Sequence, residues 1–482
     1  MEFLIQLSLL FLFLVTFLCL LKSNILWYKK SAKLPPGPFP MPIIGNIHQL
    51  GPNPHHSLAK LSQTYSPLMH LQLGFTQAIV ASSPEIAKEI LQKHDKALSS
   101  RAIPHAGRAL EHDKYPLTWL PAESKWRKFR QICKEQMFAT HKLEASEGLR
   151  QQKLEQLHDY LYECCTKGRV VDIGEAAFTT SLNLVSMTLF SLDIACFDSS
   201  STQEMKEIIE GLMRVLGTPN LADYFPFLQL IDPQGLQRRA KVFLCKMLVK
   251  IDKIIDQRLE SRRKPSINSP RKQDFLEVLL DLNQESDSQL SRNDMKHFLA
   301  ELILAGTGTT SDSVLWAMTE LIRNPETLLK LKDELRMDDK HVQESDISRL
   351  KYLNAVIKET FRLHPSGPFL VPHKAVDNVE IQGYTIPKDA QILVNVWAIG
   401  RDSKIWSNPE SFQPERFLDS KLDYRGQHFE LITFGSGRRI CVGLPLAHLM
   451  VHLLVACFVH SFDWKLENGM KPKDVDVKEM FV

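Results

Sequence analysis

The segment Phe434-Gly-Ser-Gly-Arg-Arg-Ile-Cys-Val-Gly443 decides the reading of this chain. One thiol, Cys441, follows two arginines and stands among three glycines. A thiolate held on the iron of a flat macrocycle needs such surroundings. Glycines at 435, 437 and 443 let the backbone approach a planar ligand and take up positive φ. Backbone N–H groups near the sulfur tune its electron donation, and nearby positive charge favours its deprotonated form. Arg438 or Arg439 offers a fork for a carboxylate. An isolated cysteine is more often a small buried hydrophobe. Here Phe434, Gly437, Arg439, Cys441 and Gly443 fill five fixed positions of a ten-residue pattern, F-x-x-G-x-R-x-C-x-G, which sets this one apart.

Outward from that loop, the 482 residues are 44% hydrophobic and 24% charged, ordinary globular material with ample core. Length alone suggests about three domains, but no low-complexity linker divides the chain. A net charge of +3 is too small to argue for nucleic acid as a partner. The eight cysteines show no C-x-x-C pair and no metal-finger spacing, so they read as reduced thiols facing the cytosol.

Phe3 to Leu21 is a run of 19 mostly apolar residues with no small-residue cleavage site. As a helix it spans roughly 28 Å, enough for a bilayer core. Lys22, Lys29, Lys30 and Lys33 follow it, which places the remainder in the cytosol. Residues 1–22 are therefore expected to form a single-pass signal anchor in the endoplasmic reticulum membrane. Residues 23–45 form a basic, proline-rich hinge around Leu34-Pro-Pro-Gly-Pro-Phe-Pro-Met-Pro42, stiff and extended. Residues 46–482 are expected to be one catalytic domain.

The domain reads as mainly α with small β-sheets, an α+β class. Leu68–Val80 alternates around Gly74 as a hairpin, and Ile381–Ile386 and Gln391–Val396 read as strands. Helical patterns run over Ser124–Ala139, Leu149–Cys165, Gln203–Gly217, Gly235–Leu259, Asp274–Leu282, Asp294–Arg323 and Lys351–Leu363. The polar, proline-broken stretch 261–272 reads as a surface loop. Within the 294–323 pattern, Ala305-Gly-Thr-Gly-Thr-Thr310 is poor helix material, costing about 2–3 kcal/mol relative to alanines. It predicts a local opening or bend.

These segments together resemble the cytochrome P-450 superfamily of haem-thiolate monooxygenases, its plant membrane-bound branch in particular. The resemblance covers nearly all of residues 33–482, with five motifs in the expected order. It implies the fold of that superfamily, a single large haem domain after the transmembrane helix, with heme b as cofactor and Cys441 as iron ligand. Phe434, Arg439 and Gly443 belong to the cysteine loop. Trp126 and Arg130, in Trp126-Arg-Lys-Phe-Arg130, and His373, in Val-Pro-His-Lys, match positions that meet the propionates. Glu359, Arg362 and Arg416 match a structural triad behind the haem. Gly306, Gly308 and Thr309 match the oxygen-binding groove, A-G-x-D/E-T-T/S, with one departure: glycine occupies 308 where the family has an acid that organises proton delivery. Asp312, one turn on, is a candidate substitute.

The resemblance further implies oxidation of a small apolar plant secondary metabolite with dioxygen. Electrons from NADPH would come through an NADPH-cytochrome reductase docked on Lys125, Arg127, Lys128 and Lys134. Substrate contacts are expected from Arg101–Pro121, Leu212–Phe227, Phe298–Thr309 and Ser366–Val371. The stretches Tyr384-Thr-Ile-Pro-Lys-Asp and Phe429-Glu-Leu-Ile are similar to those of alkaloid- and terpenoid-oxidising members. The missing acid at 308 points to oxidative rearrangement of an alkaloid, as in littorine mutase. Ordinary alkaloid or terpenoid hydroxylation, a reductase-independent isomerase acting on a peroxide, and a non-catalytic haem-binding protein are the alternatives. The chain stops at Met480-Phe-Val482, where similar proteins continue through another short strand near the pocket.

Overall fold

The computed structural model describes Gln6 and residues 33–263, 272–283, 290–336 and 342–477. Apart from Gln6, the expected anchor at 1–22 lies outside the described residues, as do most of the 261–272 loop and the last five residues. Among the described residues no helix is long and apolar enough to cross a membrane.

The elements that position the site are, in chain order, strands β1 (Leu68–Leu73), β2 (Thr76–Ala81) and β3 (Ser100–Arg101), then helices α1 (Ser124–Gln136), α2 (Ile173–Phe190), α3 (Ser200–Gly217), α4 (Leu221–Tyr224), α5 (Leu236–Arg263), α6 (Arg292–Arg323) and α7 (Lys351–Leu363). Strands β4 (His373–Lys374), β5 (Val379–Ile381), β6 (Tyr384–Ile386) and β7 (Gln391–Val394) follow, and helix α8 (Leu444–His460) comes after the cysteine loop.

Helix α6 organises the molecule. A capping box starts it: Ser291 Oγ accepts the Asp294 N–H, and Asp294 accepts the Ser291 N–H. Its first half, through Phe298, Leu299, Ala300 and Ile303, enters one core with Phe129 of α1, Leu182 of α2 and Ile209 of α3. Its second half, through Val314, Ala317, Met318 and Leu321, enters another with Val356 of α7 and Leu454 of α8. Each fully buried side chain of this kind contributes about 1.5–3 kcal/mol. The six of these α6 residues larger than alanine outweigh the about 2–3 kcal/mol cost of the Ala305–Thr310 segment at the seam.

That balance corrects the expectation of an opening: the helix is unbroken from Arg292 to Arg323. The hydroxyls of Thr309, Ser311 and Ser313 donate to the carbonyls of Ala305, Thr307 and Thr309 at 2.6, 3.1 and 2.8 Å. Gly306 serves packing, because a Cβ there would stand 3.0 Å from Val185 of α2. Helix α2 is itself buried on almost every side, so it has no polar stripe to mark it in sequence.

The main sheet has the order β1-β2-β7-β4-β3. β1 and β2 form the expected antiparallel hairpin, β2 and β7 are parallel, and β4 is antiparallel to both β7 and β3. One row of the register runs Ile79, Ile392, His373, Arg101. The stretch read as a single strand at 381–386 is instead the turn of a second hairpin, β5–β6, reversing at Gln382 and Gly383 with φ of 51° and 75°. β7 ends at Val394 because Asn395 caps the next helix, accepting the Ala398 N–H at 3.0 Å.

Candidate functional site

The cysteine loop closes on itself, with the Cys441 N–H donating to the Phe434 carbonyl at 3.0 Å. Gly437 has φ +67°, and a Cβ there would fall 1.9 Å from the Leu91 carbonyl oxygen. Only glycine satisfies both conditions. Gly435 is also left-handed, at +72°. Gly443 corrects the sequence reading: its φ is −82°, and it is the residue before α8. What it offers is space, since a Cβ would stand 3.9 Å from Cys441 Sγ.

Cys441 is walled in by protein, and its accessible surface faces a cavity. The N–H groups of Gly443 and Leu444, at the start of α8, lie near enough to its sulfur to favour the thiolate. Burial nevertheless dominates and raises the thiol pKa, against the two amides and Arg130. The neighbouring positive charge expected to favour the thiolate is therefore outweighed in the protein alone; a bound metal deprotonates a coordinating thiol outright.

Helix α7 braces this loop from behind. Arg362 Nε and Nη2 donate to Glu359 Oε2 and Oε1 at 2.7 and 2.8 Å, both side chains fully buried. Arg416 Nε reaches Glu359 Oε1 at 3.1 Å. On the same helix, Phe361 meets the Phe434 ring edge-on at 5.2 Å, and its carbonyl accepts the Thr433 hydroxyl at 2.9 Å. The triad thus reaches the loop through one turn of helix and one aromatic contact.

Above the loop lies a cluster of buried and half-buried cations. Trp126 of α1 has the Arg130 guanidinium at 5.4 Å and that of Arg439 at 4.7 Å from its ring. Arg130 donates to the Ile440 carbonyl at 2.8 Å. Arg439 donates to the carbonyls of Ser99 and Leu117, at 2.8 and 3.1 Å, and to that of Leu120. Arg438 is engaged elsewhere, with Asp95 at 3.0 Å, and of the two arginines Arg439 is the one that lines the cavity. His373 sits beside Arg101 in the β3–β4 register, and its Nδ1–H donates to the Leu98 carbonyl at 2.8 Å. Burial, then Arg101, holds its ring well below the usual histidine pKa, so it meets an anion only by taking a second proton.

Arg101, which the sequence placed in a substrate segment, joins this cluster. It donates to the carbonyls of Thr118, at 3.2 Å, and Val371. Glu301 of α6, unmarked in sequence, orders the same strip by accepting the N–H groups of Leu117 and Thr118 at 2.5 and 2.6 Å. Burial, and secondarily Arg439, lowers the Arg101 pKa; burial with Arg130 lowers that of Arg439 to about 10. Among the described residues none of Arg101, Arg130 and Arg439 is ion-paired with a carboxylate.

Opposite the sulfur, Ala305, Gly306 and Thr309 line the cavity, together with Thr310 and Ser313. Gly308 does not line it. It faces α3, where a Cβ would find Ile209 at 3.8 Å and Met213 at 4.0 Å. Asp312, on the same helix face one turn on, lies near Glu210 and Lys206 of α3. More than a third of the residue is accessible, yet surrounding protein desolvates the carboxyl and, with Glu210, raises its pKa to about 6.

The cavity between loop and helix has a volume of about 800 Å³ and a mostly apolar wall. Three buried or half-buried arginines, none in an ion pair among the described residues and with Glu301 as a nearby carboxyl, a mostly apolar space and a sulfur beside two backbone N–H groups suit an iron porphyrin with two propionates. The residues present therefore fit heme b. The family model described as Cytochrome P450 matches residues 35–482. Cytochrome P450 76T24 of Catharanthus roseus is 52% identical over 94% of this chain and 91% of its own length. Ferruginol synthase of Salvia miltiorrhiza is 50% identical over 94% and 92%, and geraniol 8-hydroxylase of Swertia mussotii 46% over 94% and 91%. With loop, groove and cradle folded as this architecture requires, the chain belongs to the cytochrome P-450 family: it is a haem-thiolate monooxygenase with heme b as its cofactor.

Proposed function

We propose that this enzyme hydroxylates a small apolar terpenoid, using dioxygen and electrons passed from NADPH by a reductase. The observation that carries the reading is the about 800 Å³ apolar cavity over Cys441, in a chain half-identical to relatives named for making ferruginol and hydroxylating geraniol. When bound, heme b supplies the activation of dioxygen. Cys441 is the iron ligand, and the amides of Gly443 and Leu444 steady its sulfur. Arg101, Arg130, Arg439 and Trp126 would hold the propionates, and His373 would join them on taking a second proton. Gly306 keeps α2 and α6 in close contact, and Thr309 places at the cavity wall a hydroxyl that donates to the Ala305 carbonyl and keeps its oxygen as an acceptor. Glu359, Arg362 and Arg416 keep Phe434 in place.

Residues 1–22 and 23–45 act as anchor and hinge, holding the domain of 46–482 on the cytosolic side of the endoplasmic reticulum membrane. An exposed apolar patch supports that placement. Phe75 is 66% exposed, Phe227 62% and Leu230 96%, with the first two rings 6.2 Å apart. The Gly74 N–H donates to the Ile44 carbonyl and the Phe75 N–H to that of Tyr224, so three segments share one surface. Arg127, Lys128 and Lys134 of α1 offer a basic face to an acidic reductase. Lys125 is less available, being paired with Asp294 at 2.6 Å.

A second reading, oxidative rearrangement of an alkaloid, rests on Gly308 alone. The deciding experiment supplies purified enzyme and reductase with terpenoids or alkaloids and follows NADPH use and product mass. Turnover of terpenoids to alcohols supports the proposal; rearranged alkaloid products overturn it. A Cys441→Ser variant should lose the thiolate-type Soret band of the ferrous carbon monoxide complex.

A further inference from the structure

We propose that Arg108 and Asp223 form an orienting site for a hydroxyl group, so that the preferred substrate is a terpenoid alcohol held by its oxygen far from the haem cradle. This rests on the terpenoid reading above and specifies it. Five cations line the cavity. Arg101, Arg130 and Arg439 donate to backbone carbonyls around the cradle, and Lys374 pairs with Asp389 at 2.8 Å. Arg108 does neither: among the described residues it has no hydrogen bond and no ion pair, and it is exposed. Being exposed, that guanidinium is hydrated, so a hydrocarbon that covers it strips water from a donor and offers no acceptor in return, whereas a hydroxyl replaces the water.

Asp223 also lines the cavity; burial raises its carboxyl pKa to about 6, against the His105 N–H and the nearby Arg108 guanidinium, so it is mostly ionised at neutral pH. It is fixed in position. One carboxylate oxygen accepts the His105 N–H at 2.5 Å, and its carbonyl accepts the Thr76 hydroxyl at 3.0 Å. Arg108 donates only, and an ionised carboxylate accepts only. A hydroxyl satisfies both at once, accepting from the guanidinium and donating to the carboxylate. A carboxylic acid gains Arg108 but is repelled by Asp223, and a hydrocarbon meets neither.

The register places this pole away from the cradle. Ile79 of β2 is three strands from Arg101 in the same row, about 14 Å, and Thr76 lies three residues further along, about 10 Å. A chain-like terpenoid held at Asp223 by its oxygen therefore directs its opposite end toward the cradle.

The test measures dissociation constants from the haem spectral shift for geraniol, its hydrocarbon without the hydroxyl, and geranic acid. In the unmodified enzyme the alcohol should bind about tenfold more tightly than either analogue. Arg108→Ala should erase the preference over the hydrocarbon, and Asp223→Asn, which keeps an acceptor for the His105 N–H, should tighten geranic acid. Arg108→Gln provides a second variant should Arg108→Ala fail to fold. Equal binding of all three by the unmodified enzyme overturns the orienting site while leaving the terpenoid reading intact. Absence of a shift with any of them overturns both. An unchanged ranking in the folded Arg108 variants overturns the role of Arg108.

Discussion

Gly437 of the cysteine loop and Gly308 of α6 belong to the two segments that wall one cavity, though neither lines it, and the protein treats them differently. At Gly437 a Cβ would land 1.9 Å from a backbone oxygen, in a left-handed conformation; at Gly308 the nearest atom would be 3.8 Å away. The first glycine is compelled by sterics. The second is not, so sterics do not account for its presence. The cysteine side of the cavity is a rigid fixture, whereas the helix side has room to vary with the reaction.

The sharpest way to break that contrast is to attack the fixture. Glu359→Gln leaves Arg362 and Arg416 buried without their shared anion, and should remove about 3–5 kcal/mol. The measurement is denaturant unfolding of the haem-loaded enzyme; a loss below 1 kcal/mol would show that the brace behind Phe434 is dispensable. Gly437→Ala adds backbone strain to a clash with Leu91 and should remove about 3 kcal/mol, lowering the yield of thiolate-type complex.

The helix side should respond more gently. Gly308→Asp places a carboxylate against Ile209 and Met213, and should lower stability by about 1–2 kcal/mol while keeping the thiolate-type spectrum. The ratio of product formed to NADPH consumed should rise. If that ratio stays fixed, residue 308 takes no part in proton delivery. The smallest effect belongs to Asp312→Asn. The folded carboxyl titrates near 6, above its ordinary 3.8, so between those values the folded state holds a proton that the unfolded chain has released. Stability from this group is present below pH 4 and lost as pH rises through 6. The variant should melt higher than the parent above pH 6, on the order of 1 °C, and match it at pH 4.

The same contrast explains what could be read from sequence. The hairpin around Gly74, the helix Lys351–Leu363 and the cysteine loop carry local signals: alternation, a single apolar face, glycines at fixed spacing. Helix α2 and helix α8 are apolar nearly all round, and nothing periodic marks them. The seam at Ala305–Thr310 looked weak because propensity counts residues singly, while the two cores act on the whole helix. Arg101 and Glu301 escaped notice for another reason. Each acts through backbone groups that pairing and packing bring from distant segments, and neither sits in a motif of its own.

That distance sets an order of events. The carbonyl that receives Arg101 belongs to a residue 270 positions later, and the sulfur comes later still. A ribosome has finished most of the polypeptide before the two halves of the cradle can meet. Cofactor loading is therefore a late step of biogenesis, and until it happens the chain carries a cluster of three arginines with the Glu301 carboxyl as their neighbouring acid. Scarcity of haem during synthesis should leave behind a population that is nearly complete in secondary structure, open at its centre, and exposed to quality control.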